Sequence, residues 1–508
     1  MFPGALRHRQ LSSSTAIQRI HMISCRRLVT ATKPGAYGQP LFHSHPHLVR
    51  QYDLTPGIKP EEYDQRRKKL MNSLPENSVV VSVAAPIKLM SNSIFYKYRQ
   101  NSDLWYLTGF AEPDSAIILE KNSSPKGYKM TLFCSGKDSA KEKWDGPKTS
   151  IADAAAIFGA NTAEPISSFA PILKSTLARS SHIYVDLPNN NLTSTRNMST
   201  KALLRYLSSS VRSEVDDIIG PLSSSRRKPL APEVALVRAI KSAAEQQIMH
   251  EAGNISGRAH AKTMRFARPG LSEAALAAHF EYLCALQGSQ RPAYVPVVAS
   301  GPNALIIHYT ENNHLLQDDE LVLMDAGCEF NGYASDITRT FPTSGRFTTA
   351  QAELYSAVLT VQKELIKDCA ETAGYTLYEL HRKSCTRLRE ELTKLGFNFR
   401  SSILGGDTDL ERVLYPHFLS HPIGVDLHES YNTSRSSSLK AGMVITIEPG
   451  IYVPPTPQFP KQYHNLGIRI EDEVLVGEQD PIVLTAAAPK EIVDIEGACQ
   501  GLLGLEPY

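Results

Sequence analysis

Acidic residues are missing from the first 52 positions of this 508-residue chain; Asp53 is the first. Cysteine is sparse, at 7, and its positions (25, 134, 284, 328, 369, 385 and 499) show no paired CxxC spacing. That argues against a structural zinc site and against a disulfide framework. It suits a reducing compartment, with the thiols acting as small core hydrophobes. Long apolar runs are lacking as well. No stretch approaches the roughly 18 consecutive apolar residues of a membrane-spanning helix. Nor is one sign of charge in excess: 54 Lys and Arg face 52 Asp and Glu, a formal net charge of +2. So small a balance leaves no footprint for nucleic acid or another polyanion. Hydrophobic content of 42% and charged content of 21% are ordinary for a globular protein. The length alone suggests about two or three domains.

What the amino-terminal stretch does contain is Arg7, Arg9, Arg19, Arg26, Arg27, Lys33 and Arg50, set among Ser, Thr and Ala. Arg-rich, Ser-rich and acid-free is the composition of a mitochondrial transit peptide. We place it at residues 1–35, with cleavage shortly after Arg26-Arg27. A cationic amphipathic helix of this kind is drawn to anionic membrane surfaces and pulled by a negative-inside potential. The alternative is a basic tail that carries no address. No long apolar core follows, which argues against a secretory signal.

Residues 54–228 read as one domain. Glu61–Asn72 has a charged helical pattern. Strand patterns fall at Val79–Val83, Ser115–Leu119, Met130–Phe133 and His182–Val185, and helical stretches at Ile151–Phe158 and Ile166–Leu177 alternate with them. Alternating β and α implies an α/β layer with a mixed sheet. The aromatic-dense Asp103–Phe110 is assigned to core packing rather than to a ligand platform. The Ser-rich Leu207–Lys228, ending in a basic cluster before Pro229, reads as a surface linker. From Glu233 the apolar spacing predicts one helix to about Phe266, broken at Arg268-Pro269-Gly270. A second begins at Ser272-Glu273 and runs to about Leu286. Further helices fit Ala350–Cys369 and Thr376–Leu395. With the strands clustered after residue 320, residues 232–505 predict an α+β domain, helices outside and a curved antiparallel sheet inside.

The richest stretch is Glu320–Thr340, ELVLMDAGCEFNGYASDITRT. Asn331-Gly332 is a strong two-residue hairpin signal. It places 330 opposite 333 and 325 opposite 338, and since alternate residues share a face, Asp325 and Asp336 become diagonal neighbours, roughly 7–8 Å apart at Cα. Two carboxylates on one face repel unless a proton or a cation sits between them. A solvent-facing pair is the plainer alternative, but LVLMD and YASDITRT look like interior strands, where Asp is depleted.

Three more stretches add to this. His417, His421 and His428 fall within a dozen residues, beside Gly424 and Asp426. Imidazole is the commonest nitrogen ligand and the usual near-neutral acid/base. Gly442–Gly450 is an apolar strand ending in Glu448, an acid costly to bury unless it is paired or coordinated. In Leu466–Val474, Arg469, Glu471 and Glu473 share a face, which would equally suit a half-exposed strand with a salt-bridged outer side. Asp325, Asp336, His421, Glu448 and Glu471 together offer four carboxylates and one imidazole. That is more negative charge than one divalent ion balances, and it fits two ions about 3.5–4 Å apart sharing one water of lowered pKa.

The motifs MDAG, SDITRTFP, SHPIGVDLHE, IEPGIY and GIRIED resemble those of the metallopeptidases with the pita-bread fold, the group of methionine aminopeptidase, prolidase and aminopeptidase P. NSDLWYLTGF and EKWDGP resemble the amino-terminal domain of aminopeptidase P. YGQPLFHSHPHLVRQYDLTPGI, with the transit-like start, resembles the mitochondrial, intermediate-cleaving branch of that family. The resemblance implies an α/β domain before a pita-bread catalytic domain. It implies a mitochondrial metallo-aminopeptidase that releases one N-terminal residue, from imported proteins after presequence removal and from Xaa-Pro peptides. By the same resemblance Asp325 would chelate one metal, Asp336 and Glu471 would bridge two, and His421 and Glu448 would complete the set. Glu448 would serve the nucleophilic hydroxide and its proton, His428 the carbonyl or its tetrahedral intermediate, and His308 the pocket. Tyr294 and His417 would contact substrate, and Arg469 would order the carboxylates. Mn²⁺ is the expected ion, with Co²⁺ or Zn²⁺ also compatible with O/N ligands. Partners would be peptide or protein N-termini, in a homodimer of the matrix, with peripheral contact to the inner membrane left open. The competing readings are a prolidase-like dipeptidase and a metal-free binding module on the same fold. Tyr463-His464-Asn465 departs from the Arg-Gly of many relatives and bears on specificity.

Overall fold

The computed structural model describes residue 33 and residues 35–186, 217–399, 409–429 and 435–504. Most of the transit segment at 1–35 and the Ser-rich stretch up to residue 216 lie outside the described residues. The chain divides into two compact units, Met1–Ile183 with Asn190–Arg227, and Tyr184–Asn189 with Lys228–Tyr508. Among the described residues no helix is long and apolar enough to cross a membrane.

In the first unit, helix Pro60–Ser73 starts on a proline whose missing N–H costs nothing at that position, and Glu61 and Glu62 meet the positive end of its dipole. It buries Tyr63, Leu70 and Met71 together with Arg66 and Arg67. Arg67 donates to the Tyr128 hydroxyl and the Leu107 carbonyl, both at 2.7 Å, as a buried charge requires. Strands Thr162–Pro165, Tyr128–Cys134, Ala116–Lys121 and Ser78–Val83 lie side by side in that order. The first pair is parallel and the next two antiparallel, which makes the sheet mixed. Asp103–Phe110 contributes helix Ser102–Thr108, and Leu104, Tyr106, Leu107 and Phe110 are buried, so this stretch is core. The linker expected over 207–228 is corrected at its end: Arg227–Pro229 is a strand at the edge of the same sheet. Basic residues and proline are what an unpaired sheet edge tolerates.

In the second unit the single helix expected over 233–266 is two, Ala231–Arg238 and Ala243–Phe266. Ser242 takes an extended conformation and forms a capping box with Glu245, so the second helix has its own beginning although the apolar spacing runs on through the gap. Helices Glu273–Leu286, Thr349–Lys367 and Leu377–Lys394 lie within a residue or two of expectation. Each is capped by the Ser or Thr before it, Ser272, Thr348 and Thr376. Their inner faces, with Ile255, Phe280, Val358 and Leu365, share one core with Val322, Met324, Phe341, Ile447 and Val474 from short antiparallel strands. Of the two readings open for the face at 469–473 the half-exposed one is excluded: Arg469, Glu471 and Glu473 are at most 2% exposed.

Leu321–Asp325 lies between Val297–Ser300 and Thr338–Pro342. Asn331 and Gly332 have φ of 51° and 87°, the left-handed pair that a tight hairpin turn needs. The register follows: Phe330 opposite Tyr333 and Asp325 opposite Thr338. The hairpin is nevertheless two ladders rather than one continuous ribbon. Between them the Asp336 N–H turns aside to the Glu473 carboxylate at 2.6 Å, while Ala326 N–H still reaches Ile337 C=O at 3.0 Å. Gly327 makes this crossing possible, because a Cβ there would stand 1.8 Å from the Ser335 carbonyl oxygen. Gly327→Ala is therefore expected to lower stability by about 3 kcal/mol or more, the upper end for overpacking. Urea unfolding of the purified variant checks this.

Candidate metal centre

Each ligand candidate hangs from a differently anchored piece of backbone. Asp325 ends a central strand and Asp336 follows the hairpin. Glu448 follows strand Val444–Ile447 and stops at Pro449. His421 is held beside that strand by N–H to the Thr446 hydroxyl at 3.1 Å, by Thr446 N–H to the His421 carbonyl at 2.9 Å, and by the Pro422–Ile445 bridge. Glu471 N–H donates to Thr338 C=O at 3.0 Å.

These anchors converge. Asp336, His421 and Glu471 each place a ligand atom within 4.8 Å of the others. His421 Nε2 is 3.3 Å from Asp336 Oδ2 and 3.8 Å from Glu448 Oε1. Asp325 is tied to the group through the Tyr294 hydroxyl, which bonds both Asp325 and, at 2.7 Å, Asp336. All ten residues singled out from the sequence line one cavity of about 910 Å³. His308 and His428 stand exposed on its wall, and the His428 ring lies 4.3 Å from that of His421, edge to face.

A hydrogen-bonded scaffold fixes the carboxylates. Arg469 donates to Asp325 at 2.7 Å, to the Tyr452 hydroxyl at 2.7 Å and to the Thr338 hydroxyl at 3.0 Å. Thr338 in turn donates to Glu471 at 2.6 Å. Tyr452 passes its proton toward His417 Nε2 at 2.9 Å, while His417 Nδ1 faces the Phe418 carbonyl at 3.0 Å. Burial, helped by Arg469, pushes His417 down to about 3, so this imidazole is neutral. Thr338 and Tyr452 were not singled out from the sequence, and Glu473 was named there only as sharing a face with Arg469 and Glu471. Tyr452 sat in plain view in IEPGIY, but an uncharged side chain gives no signal until its neighbours are known.

The electrostatics ask for positive charge. Burial pushes Glu448 up to about 8, against the pull of His421 and Arg469. Burial and the Asp336, Glu448 and Asp325 carboxylates hold Glu471 well above its ordinary range. Asp325 is raised by burial and by Asp336. Asp336 resists burial and is lowered, chiefly by its hydrogen bond to His421, which is raised in exchange. Carboxylates that retain protons beside one guanidinium lack a cation. The donor chemistry fits a metal: His421 Nδ1 faces the Pro422 carbonyl at 3.1 Å, which leaves Nε2, the nitrogen whose proton a cation would replace, directed at the acids. Oxygens with one imidazole suit a hard or borderline divalent ion.

Carboxylates and an imidazole converging at the floor of an open cavity, on strands backed by helices, are the arrangement of a metal-dependent hydrolase. Residues 247–478 match the metallopeptidase family M24, and residues 63–184 match the aminopeptidase P N-terminal domain. The chain belongs to family M24, as a metallo-aminopeptidase with an aminopeptidase P type domain in front of its pita-bread peptidase domain. It is 39% identical to Intermediate cleaving peptidase 55 of Saccharomyces cerevisiae over 92% of this chain and 89% of that one. Intermediate cleaving peptidase 55, mitochondrial, of Arabidopsis thaliana is 38% identical over 90% and 87%, and Xaa-Pro aminopeptidase 3 of Homo sapiens 35% over 92% and 91%. The crystal structure of Icp55 from Saccharomyces cerevisiae is similar with a TM-score of 0.75 and 37% identity, covering 89% of this chain and 100% of that one. Membership of the family implies divalent metal ions.

Proposed function

We propose that this protein is a mitochondrial aminopeptidase that removes a single residue from the N-termini of imported proteins after their presequence is cleaved, and that also accepts Xaa-Pro peptides. The domain limits we assign are a transit segment at 1–35, an aminopeptidase P type domain at 54–228 and the peptidase domain at 232–505. The observation that carries the reading is the His421 geometry, an imidazole Nε2 turned into a basin of carboxylates that opens on a cavity. The mitochondrial relative and the acid-free arginine-rich first 52 residues support the matrix assignment.

Asp325, Asp336, His421, Glu448 and Glu471 would hold two divalent ions, for which Mn²⁺ is our choice. When bound, such a pair supplies a water ionised near neutral pH and a Lewis acid for the scissile carbonyl. The chain's own residues do the rest. Arg469, Thr338 and Tyr294 keep the carboxylates in place. His428, its pKa lowered by partial desolvation at the cavity wall and by His421, donates an N–H where negative charge develops on the carbonyl oxygen. Glu448 receives a proton and returns it to the leaving amine.

The test has two parts. Purified protein loaded with Mn²⁺ is assayed on an Xaa-Pro dipeptide and on longer peptides, with and without proline second. Release of one residue from the longer peptides is expected, whereas activity confined to the dipeptide would make the enzyme a dipeptidase. N-terminal profiling of mitochondrial proteins from cells lacking the gene is expected to show a set of termini longer by one residue. Unchanged termini would remove the processing role.

A further inference from the structure

In the wall that carries His421 and His428 lies a charged cluster with no part in the scheme above. The segment 422–429 closes on itself, the Glu429 N–H donating to the Pro422 carbonyl at 2.9 Å. Inside this loop the Glu429 carboxylate is buried. One oxygen accepts from Arg238 Nε and Nη2 at 3.1 and 2.9 Å and from the Val425 N–H at 3.0 Å. The other accepts from Lys241 Nζ at 2.9 Å. Arg238 also meets Asp426 at 2.7 Å. Gly424 leaves the room for this: a Cβ there would stand 2.4 Å from Glu429 Oε1. Arg238 ends one helix and Lys241 sits in the break before Ser242 starts the next, so the interruption of that helix is where the cations enter.

Buried ions are weak contributors to stability, because desolvation offsets most of their attraction; what they fix well is geometry. The geometry here belongs to His428. It immediately precedes Glu429; both residues line the cavity, but the His428 ring is exposed there while the Glu429 side chain is buried and gripped by its two cations.

We propose that Glu429, clamped by Arg238 and Lys241, is a positioning residue that aims His428 at the substrate carbonyl. This rests on the role given to His428 above. A misplacement of about 1 Å costs up to roughly 100-fold in rate. Glu429→Gln removes the charge that both cations grip while keeping the side chain's size. It is expected to lower kcat by about 10–100-fold, with KM and metal content nearly unchanged.

The decisive measurement is a double-mutant cycle with His428→Ala, on metal-loaded full-length enzyme. If Glu429 acts through His428, Glu429→Gln costs less than about twofold once His428 is gone, and Glu429→Asp, which keeps the charge, recovers part of the rate in the otherwise wild-type chain. An equal cost in both backgrounds, or loss of metal from Glu429→Gln, overturns the proposal and leaves Glu429 a structural residue. Full activity of His428→Ala on its own overturns the role of His428 and this proposal with it. Should Glu429→Gln not fold, Lys241→Met enters the same cycle under the same criteria.

Discussion

Asp336→Ala and Glu471→Ala are each expected to reduce turnover by well over 100-fold, beyond the roughly 10–100-fold that losing an outer hydrogen-bond partner of a metal ligand costs. Both belong to the tightest group in the site, with His421. Both also have their backbone fixed from behind, Asp336 by the Glu473 carboxylate and Glu471 by the Thr338 carbonyl, so the alanine variants should keep the cavity's shape. Two measurements on purified protein decide the matter: metal content, expected to fall below two equivalents, and steady-state release of the N-terminal residue. A variant that keeps full activity with metal verified would rule out a pair of ions held by this set. Thr338→Val is a milder version, removing the hydroxyl that joins Arg469 to Glu471 without touching a ligand.

The second large effect concerns the metal-free protein. Stripped of ions by a chelator, it is expected to lose about 1–3 kcal/mol of stability between pH 7 and pH 8.5. The sign follows from proton binding. Glu448, pushed up to about 8, and Glu471, held well above its ordinary range, keep protons in the folded state that the unfolded chain releases near pH 4.5. The folded state therefore binds more protons in this window, and stability falls as pH rises. The depressed histidines act the other way. His417, at about 3 folded, gains the protein stability as pH rises to the unfolded value of 6.5, and that gain is complete by pH 7. Asp336 is lowered, so its contribution is already complete above the unfolded value of 3.8. Above pH 7 the raised carboxylates decide. Urea unfolding of chelated protein at the two pH values, repeated with Mn²⁺, checks this: the ion should restore more at pH 8.5 than at pH 7. A flat profile would mean that the acids ionise freely and need no cation.

How much of this could be read from letters differs by kind of residue. The hairpin register was legible because Asn331-Gly332 admits one tight turn, and a turn fixes every pairing that follows it. The charged members of the site were legible because acids at the ends of apolar strands are conspicuous. The break between Arg238 and Ala243 was misread because Val234, Val237, Ile248 and Met249 keep helical phase across it. Ser242 and Glu245, three residues apart, were the available sign. The burial of Glu473 stayed open between two readings because alternation assigns a side but not what lies there; the Asp336 N–H was waiting on that side. The strand Arg227–Pro229 looked like linker because an edge strand carries the same residues as a loop. The clamp on Glu429 spans nearly 190 positions, and no local pattern joins residues so far apart.

The paired segments that carry Asp325 and Asp336 have a last consequence. Asp325 is fixed by its ladder, and Asp336, in the gap between the two ladders, by its N–H bond to the Glu473 carboxylate, so the backbone spacing between them is a fixed gauge. His421 and Glu448 hang from the neighbouring pair of segments and form the compliant jaw. A cation of different radius would have to be fitted by that jaw alone. Exchange among ions should therefore show in the positions of His421 and Glu448 first, with the aspartates staying where their backbone anchors put them.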